Sequence, residues 1–265
     1  MFNVSSTQMY AWIAEFFWPF FRIVALIMSA PLFGATGIPS GVKIGISVVL
    51  TIIVAPILPA MPDIQPASAQ GMLIMAQQLL IGFTLGYAIR LVFTAMEMAG
   101  HIAGLQMGLG FASFFDPQNS SQVPLMGQFI GVMTMLLFVT LNGHLMMIAT
   151  LVESFHTLPI GTSMAGQSLY AVADFGKNIF TWGVQMSLPV IAALTLVNIG
   201  LGVLTRASPQ LNIFAVGFPL TLGAGFLVLA ISVPYFLPLF NGMMEESIDV
   251  MLRLAQPTPI TAIKH

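Results

Sequence analysis

The chain has no cysteine and very little charge. Without cysteine there are no disulfides, thiolate metal sites or thiol nucleophiles, and redox chemistry says nothing about the compartment. Only 6% of the 265 residues are Asp, Glu, Lys or Arg, against about 25% in soluble domains. So few charges cannot clothe a surface in water, so lipid or other apolar chains must cover much of it. Seven scattered Lys and Arg, at a net charge of −2, give no basic patch for nucleic acid. P-loop, G-x-G-x-x-G, G-x-S-x-G and HExxH motifs are all missing, which removes the usual nucleotide, hydrolase and metalloprotease chemistries.

What is present is apolar: 57% of residues are hydrophobic and mean hydropathy is +0.95. A membrane helix needs about 20 such residues. Six stretches qualify, at 10–30, 42–60, 72–94, 125–152, 179–204 and 214–240. The run 96–109 continues the third without a clear break, which predicts a bend or a second helix there. The first basic residue, Arg22, lies inside the first stretch, so that stretch is expected to be a retained helix and not a cleaved signal. Pro19, Pro56, Pro189, Pro219 and Pro234 predict kinks. The polar linker 159–174 is a candidate boundary, and the tail from Glu245 reads as a short amphipathic helix with a disordered tip. Loops carry too little Lys and Arg to fix a topology, as suits a chain held by partners.

Glycines recur at four-residue steps: Gly82 and Gly86, Gly100, Gly104 and Gly108 continued by Ala112, and Gly127 and Gly131. Such steps keep small residues on one helix face and predict close packing of a neighbouring backbone. Glu15 and Arg22 stand seven apart, as do Arg90 and Glu97. Charges at membrane depth mark either an ion path or pairing at a subunit seam. No column of carboxylates continues a relay, which favours the seam. Glu97 and His101 stand four apart and would make at most half a metal site, so no metal or other cofactor is expected.

The segment GLGFASFFDPQNSSQVP, residues 108–124, sets Phe111, Phe114 and Phe115 beside Asp116-Pro117 and a polar run to Gln122. The polar backbone needs water or protein around it, and the aromatics need cover. An aqueous lumen with a hydrophobic stopper meets both needs. A peripheral loop with its phenylalanines in the headgroup zone meets them too, and residue chemistry alone leaves both open.

Gly108-Leu-Gly-Phe-Ala-Ser-Phe-Phe-Asp-Pro117 and the run Arg206-Ala-Ser-Pro-Gln-Leu-Asn-Ile-Phe-Ala-Val-Gly-Phe-Pro-Leu220 resemble the FliR family of flagellar and type III secretion export proteins. The resemblance runs nearly the whole chain. It implies an all-α, membrane-associated bundle of kinked helical hairpins within a helical pore assembly. Residues 1–165 would be a FliP-like part and 166–265 a FliQ-like hairpin with its tail. It implies a non-enzymatic subunit of the flagellar export gate in the bacterial inner membrane, at the basal body. Its partners would be FliP and FliQ homologues, FlhA and FlhB homologues, and unfolded flagellar substrates. Residues 106–122 match the family's pore plug, which here comprises Gln106, Gly108, Gly110, Phe111, Phe114, Phe115, Asp116 and Pro117. Arg206, Pro209, Gln210, Asn212, Gly217 and Pro219 are expected to fix the turn of the hairpin: Ser208-Pro209 ends a helix, the amides satisfy freed backbone, and Arg206 meets the preceding carbonyls. The rival readings are a secondary transporter of small solutes, using Arg90, Glu97 and His101, and a purely structural membrane scaffold.

Overall fold

Long apolar runs cannot leave backbone groups unpaired in lipid, and a helix satisfies them within one segment. Every described element is accordingly helical. The computed structural model describes residues 6–34, 37–62, 64–111, 125–162, 164, 166–210 and 212–256. In order they form α1 (Ser6–Ser29), α2 (Ser40–Val54), α3 (Ala69–Gln106), α4 (Leu125–Thr140), α5 (Gly143–Thr157), α6 (Gly166–Phe175), α7 (Asn178–Ala207) and α8 (Ile213–Leu254). Two 3₁₀ turns, Ala55–Ile57 and Leu109–Phe111, follow α2 and α3.

Several boundaries differ from the sequence expectation. The run 72–109 forms one 38-residue helix to Gln106, with no second helix. At about 1.5 Å per residue it is roughly 57 Å long, well beyond a 30 Å hydrocarbon layer. The stretch 125–152 is two helices, because Asn142 takes a left-handed conformation (φ 57°). Asparagine tolerates that backbone, and its carbonyl then accepts the amides of Leu145 and Met146 to start α5. The supposed linker 159–174 contains most of α6, whose Val172 and Phe175 are buried. The tail from Glu245 is not a separate helix: α8 runs through it to Leu254. Met244, Ser247, Met251 and Leu254 are buried there, while Asp249 and Arg253 pair at 2.6 Å on the exposed side. Pro19, Pro189, Pro219 and Pro234 lie inside helices that continue past them. Pro56 sits in the turn that ends α2.

The chain forms two compact units; two of the boundaries fall within α3 and α8, and the other two lie between α4 and α5 and between α6 and α7. The first contains Met1–Leu91, Asn142–Gly176 and Met244–His265. In it α1 and the first part of α3 run parallel, because their contacts advance together. Trp18 packs with Ile74, and Arg22 bonds Gln78. A Cβ on Gly82 would strike the Arg22 carbonyl, and one on Gly86 would strike the Ser29 hydroxyl. The helix α2 packs on α1 inside out. Its Ser47 and Thr51 are buried and bond the carbonyls of Lys43 and Ser47, while Val49, Ile52 and Ile53 face outward. Hydroxyls satisfied by their own helix can sit inside at little cost, and the outer face needs an apolar environment.

The second unit contains Val92–Leu141 and Lys177–Met243. Here the end of α3 is the axis. Against it α4 runs antiparallel: Phe93 meets Phe138 edge-on at 5.3 Å, Gly131 lies beside Glu97, and Gly127 beside His101. On α7, Gly183 lies against Met98. Ala103 of α3, Met107 just beyond it, Val190 and Leu194 of α7 and Leu229 of α8 share one core. At Gly100 an added Cβ would lie 2.6 Å from the Met126 carbonyl oxygen and 2.8 Å from the Gly127 Cα, both backbone atoms that cannot turn aside. Gly200 has nothing within 4 Å of an added Cβ.

Gly100→Val should therefore lower stability by about 1–3 kcal/mol, the usual cost of overpacking. Gly200→Ala should leave stability unchanged or slightly raised. Thermal unfolding of the detergent-solubilised protein measures both. Equal midpoints for the two variants would contradict a tight α3–α4 seam.

Candidate functional site

The best-organised polar site is built on Arg22, which is 0% exposed in the middle of an apolar helix. Its Nε donates to Gln78 Oε1 at 2.8 Å. Nη1 donates to the Ser154 carbonyl at 2.7 Å and to Ser154 Oγ at 3.1 Å. Nη2 donates to the Leu158 carbonyl at 2.9 Å. The guanidinium carbon stands 4.2 Å from the centre of the Phe155 ring. Arg22 thus joins α1, α3 and the C-terminal end of α5. The last carbonyls of a helix lack intrahelical donors and carry its negative dipole end, so a cation is favoured there. The planar fork reaches these separate acceptors at once, which a lysine ammonium cannot do. All these acceptors are neutral, and the helix end and aromatic face take the place of a carboxylate.

Residue chemistry placed Arg22 at a seam with Glu15. In the structure Glu15 is exposed, and the donors of Arg22 go to Gln78, Ser154 and Leu158. Sequence reasoning missed this socket. A lone Arg and the pair Gln77-Gln78 in apolar runs were the visible signals, yet nothing in the sequence links residues 132 positions apart. Arg90, Glu97 and His101 are exposed positions on α3. Among the described residues no group of three or more His, Asp or Glu is placed to hold a metal.

At the Phe-rich loop, Gln106 is the last residue of α3 and Gly108 follows with φ 85°, ending the helix as a left-handed glycine does. Gly110 and Phe111 lie in the 3₁₀ turn. Phe114, Phe115, Asp116 and Pro117 lie outside the described residues. On the packing faces, Gly82 and Gly86 meet α1, Gly100 and Gly104 meet Met126 of α4, and Gly127 and Gly131 meet His101 and Glu97. In the hairpin turn, Arg206 is exposed in the last turn of α7, and Pro209 and Gln210 form an exposed turn. Asn212 starts α8: its Oδ1 accepts the Ala215 amide at 3.3 Å. Gly217 is buried and Pro219 exposed in the first turns of α8.

Four described helices are long and apolar enough to cross a membrane, or up to five if α4 and α5 together count as one span. With glycine seams and an inside-out α2, they define an α-helical membrane protein. The family described as bacterial export proteins, family 1, matches residues 13–247. Three relatives are named flagellar biosynthetic protein FliR. The chain is 42% identical to that of Pectobacterium carotovorum subsp. carotovorum over 253 residues, covering 95% of this chain and 96% of the relative. It is 38% identical to that of Escherichia coli K12 over 261 residues, covering 98% and 100%. It is 30% identical to that of Bacillus subtilis over 239 residues, covering 89% and 92%. The chain belongs to the FliR family of bacterial export proteins.

Arg22→Met should cost about 1–3 kcal/mol, the range for leaving buried neutral acceptors unsatisfied, because Gln78 Oε1 and the Leu158 carbonyl lose their donor. Arg22→Lys should recover less than half of that loss. Protease sensitivity and thermal unfolding of the purified protein test this. A Met variant as stable as the parent would show that the socket does not organise the fold.

Proposed function

We propose that the chain is a FliR-type subunit of the flagellar type III protein export gate. The observation that carries this reading is the near full-length likeness to proteins named for flagellar biosynthesis. In this reading the chain joins FliP and FliQ homologues in a helical channel, with FlhA and FlhB homologues beside it. The complex stands in the inner membrane at the flagellar basal body and passes unfolded flagellar subunits. Residues 1–165 act as the FliP-like part, and residues 166–265 as the FliQ-like hairpin with its tail. The outward apolar faces of α2, α7 and α8, including Ile53, Leu196, Ile199, Leu227 and Ile231, suit seams with such neighbours or with lipid. Glu15, Arg90 and Glu97 suit polar contacts at those seams. The role is non-catalytic, and energy comes from elsewhere in the machine.

The Phe-rich loop, Gln106 to Gln122, closes the lumen in this reading, with Phe111, Phe114 and Phe115 as the bulk. The hairpin-turn motif around Arg206 and Asn212 is structural. The small-solute carrier reading would need Arg90, Glu97 and His101 to converge on an enclosed site. A small apolar cavity among the described residues is lined by Ala99, Gly100, Ala103, Ile130 and Met186 among others, and by none of those three.

Two measurements test the proposal. Pull-down of the tagged chain in mild detergent should bring down FliP and FliQ homologues in fixed ratio. A monodisperse protein that purifies alone would contradict it. Deleting residues 111–116 should make membranes holding the assembled gate leak ions, and unchanged permeability would remove the stopper from the account.

A further inference from the structure

Just past the end of α3, the chain makes a polar contact with α8. The last α3-type bond runs from the Met107 amide to the Ala103 carbonyl at 2.9 Å. Gly108, with φ 85° and its amide on the Leu105 carbonyl, then turns the chain toward the Phe-rich loop. The Met107 carbonyl is thereby left among the helix-end acceptors that need an outside donor. Thr221 of α8 supplies it: its hydroxyl lies 3.3 Å from the Met107 carbonyl oxygen in a buried setting. The same hydroxyl lies 3.1 Å from the Phe218 carbonyl of its own helix. One proton thus has two acceptors. If the Met107 carbonyl moves away, the hydroxyl falls back on Phe218 and no buried donor is orphaned.

The side chain of Met107 is held separately. It is 0% exposed and fills a notch that exists because residue 225 is glycine. A Cβ there would overlap the Met107 Cγ and stand 2.9 Å from its Sδ. Val190, Leu194 and Leu229 complete the wall. Methionine is unbranched and turns about three bonds, so it can leave such a notch without moving backbone. Pro219, two residues before Thr221, lacks an amide hydrogen, so this turn of α8 is short of one backbone bond and yields more easily.

We propose that Met107, Thr221 and Gly225 form a releasable latch by which α8 holds the root of the Phe-rich loop. The proposal rests on the reading of that loop as the pore stopper. Its chemistry is a held state, with Met107 in the notch and Thr221 on its carbonyl, and a released state in which Thr221 bonds Phe218. Displacing α8 against α3 then frees the loop root without breaking either helix.

The chain has no native cysteine, so a Met107→Cys/Gly225→Cys pair reports on this contact alone. In membranes holding the assembled gate, mild oxidation should join the two, cut export of flagellar subunits at least about tenfold, and reduction should restore it. Adding Thr221→Val should slow disulfide formation about fivefold, the factor that one ordinary net hydrogen bond supplies. Failure of the disulfide to form, or a disulfide that leaves export unchanged, would overturn the latch. These readouts do not use ion leak, so they stand apart from the loop-deletion test of the stopper. Should the cysteine pair fail to assemble, Gly225→Ala carries the test, since its Cβ displaces Met107. Faster protease cleavage within residues 112–124 than in the parent supports the latch, and an unchanged rate overturns it.

Discussion

A single arginine in an apolar environment constrains the first unit more than any other contact. Removing a guanidinium from water costs several kcal/mol, and that cost is offset only where its donors find acceptors in fixed places. Arg22 finds them on α3 and at the end of α5. The acceptors come from two distant stretches of chain, and Arg22 itself from a third, so the three helices have one mutual arrangement that satisfies the charge. Hydrophobic contacts in a membrane do not supply such a choice, because lipid tails solvate an apolar face about as well as another helix does. The parallel packing of α1 on α3, with Gly82 and Gly86 admitting the α1 backbone, places Gln78 where Nε of Arg22 can reach it.

In the second unit, close approach does what charge does in the first. The end of α3 presents Gly100 and Gly104 to α4, and Gly183 of α7 and Gly225 of α8 meet its methionines. Each contact pairs a glycine with a backbone edge or a flexible thioether. The first kind fixes separation, and the second adapts to it. Outside these seams much of the described surface of α2, α7 and α8 is apolar. A helix such as α2, with Ser47 and Thr51 inside and isoleucines outside, would be a poor element in water. In lipid, or against apolar neighbours, it is consistent throughout.

Much of the fold was legible in the sequence because hydrophobic length dictates helix in a membrane. The six apolar stretches all became helical, and the glycine spacing marked positions where backbones approach. Local rules failed where one residue outweighed a run. Asn142 interrupts a stretch whose hydropathy reads as continuous, and 69–106 stays one helix where length alone suggested a break. The α6 helix hid in a segment read as polar because its ten residues are too short a run to stand out beside membrane spans of about 20. At the site, the charge of Arg22 was visible but its partners were not. A seven-residue spacing suggested Glu15, whereas the structure supplied an amide and helix-end carbonyls from distant segments. Thr221 carries no motif and gained its place only from the end of α3.

The central claim is that the chain lines an export path, with its loop root near the passing substrate. The most direct measurement is photo-crosslinking in exporting cells, with a photoreactive residue placed singly at Gly110 or at Val49, an outward position on α2. The account predicts adducts with an unfolded flagellar subunit from position 110, and none from position 49. Equal labelling from both positions, or lipid adducts alone from 110, would contradict it.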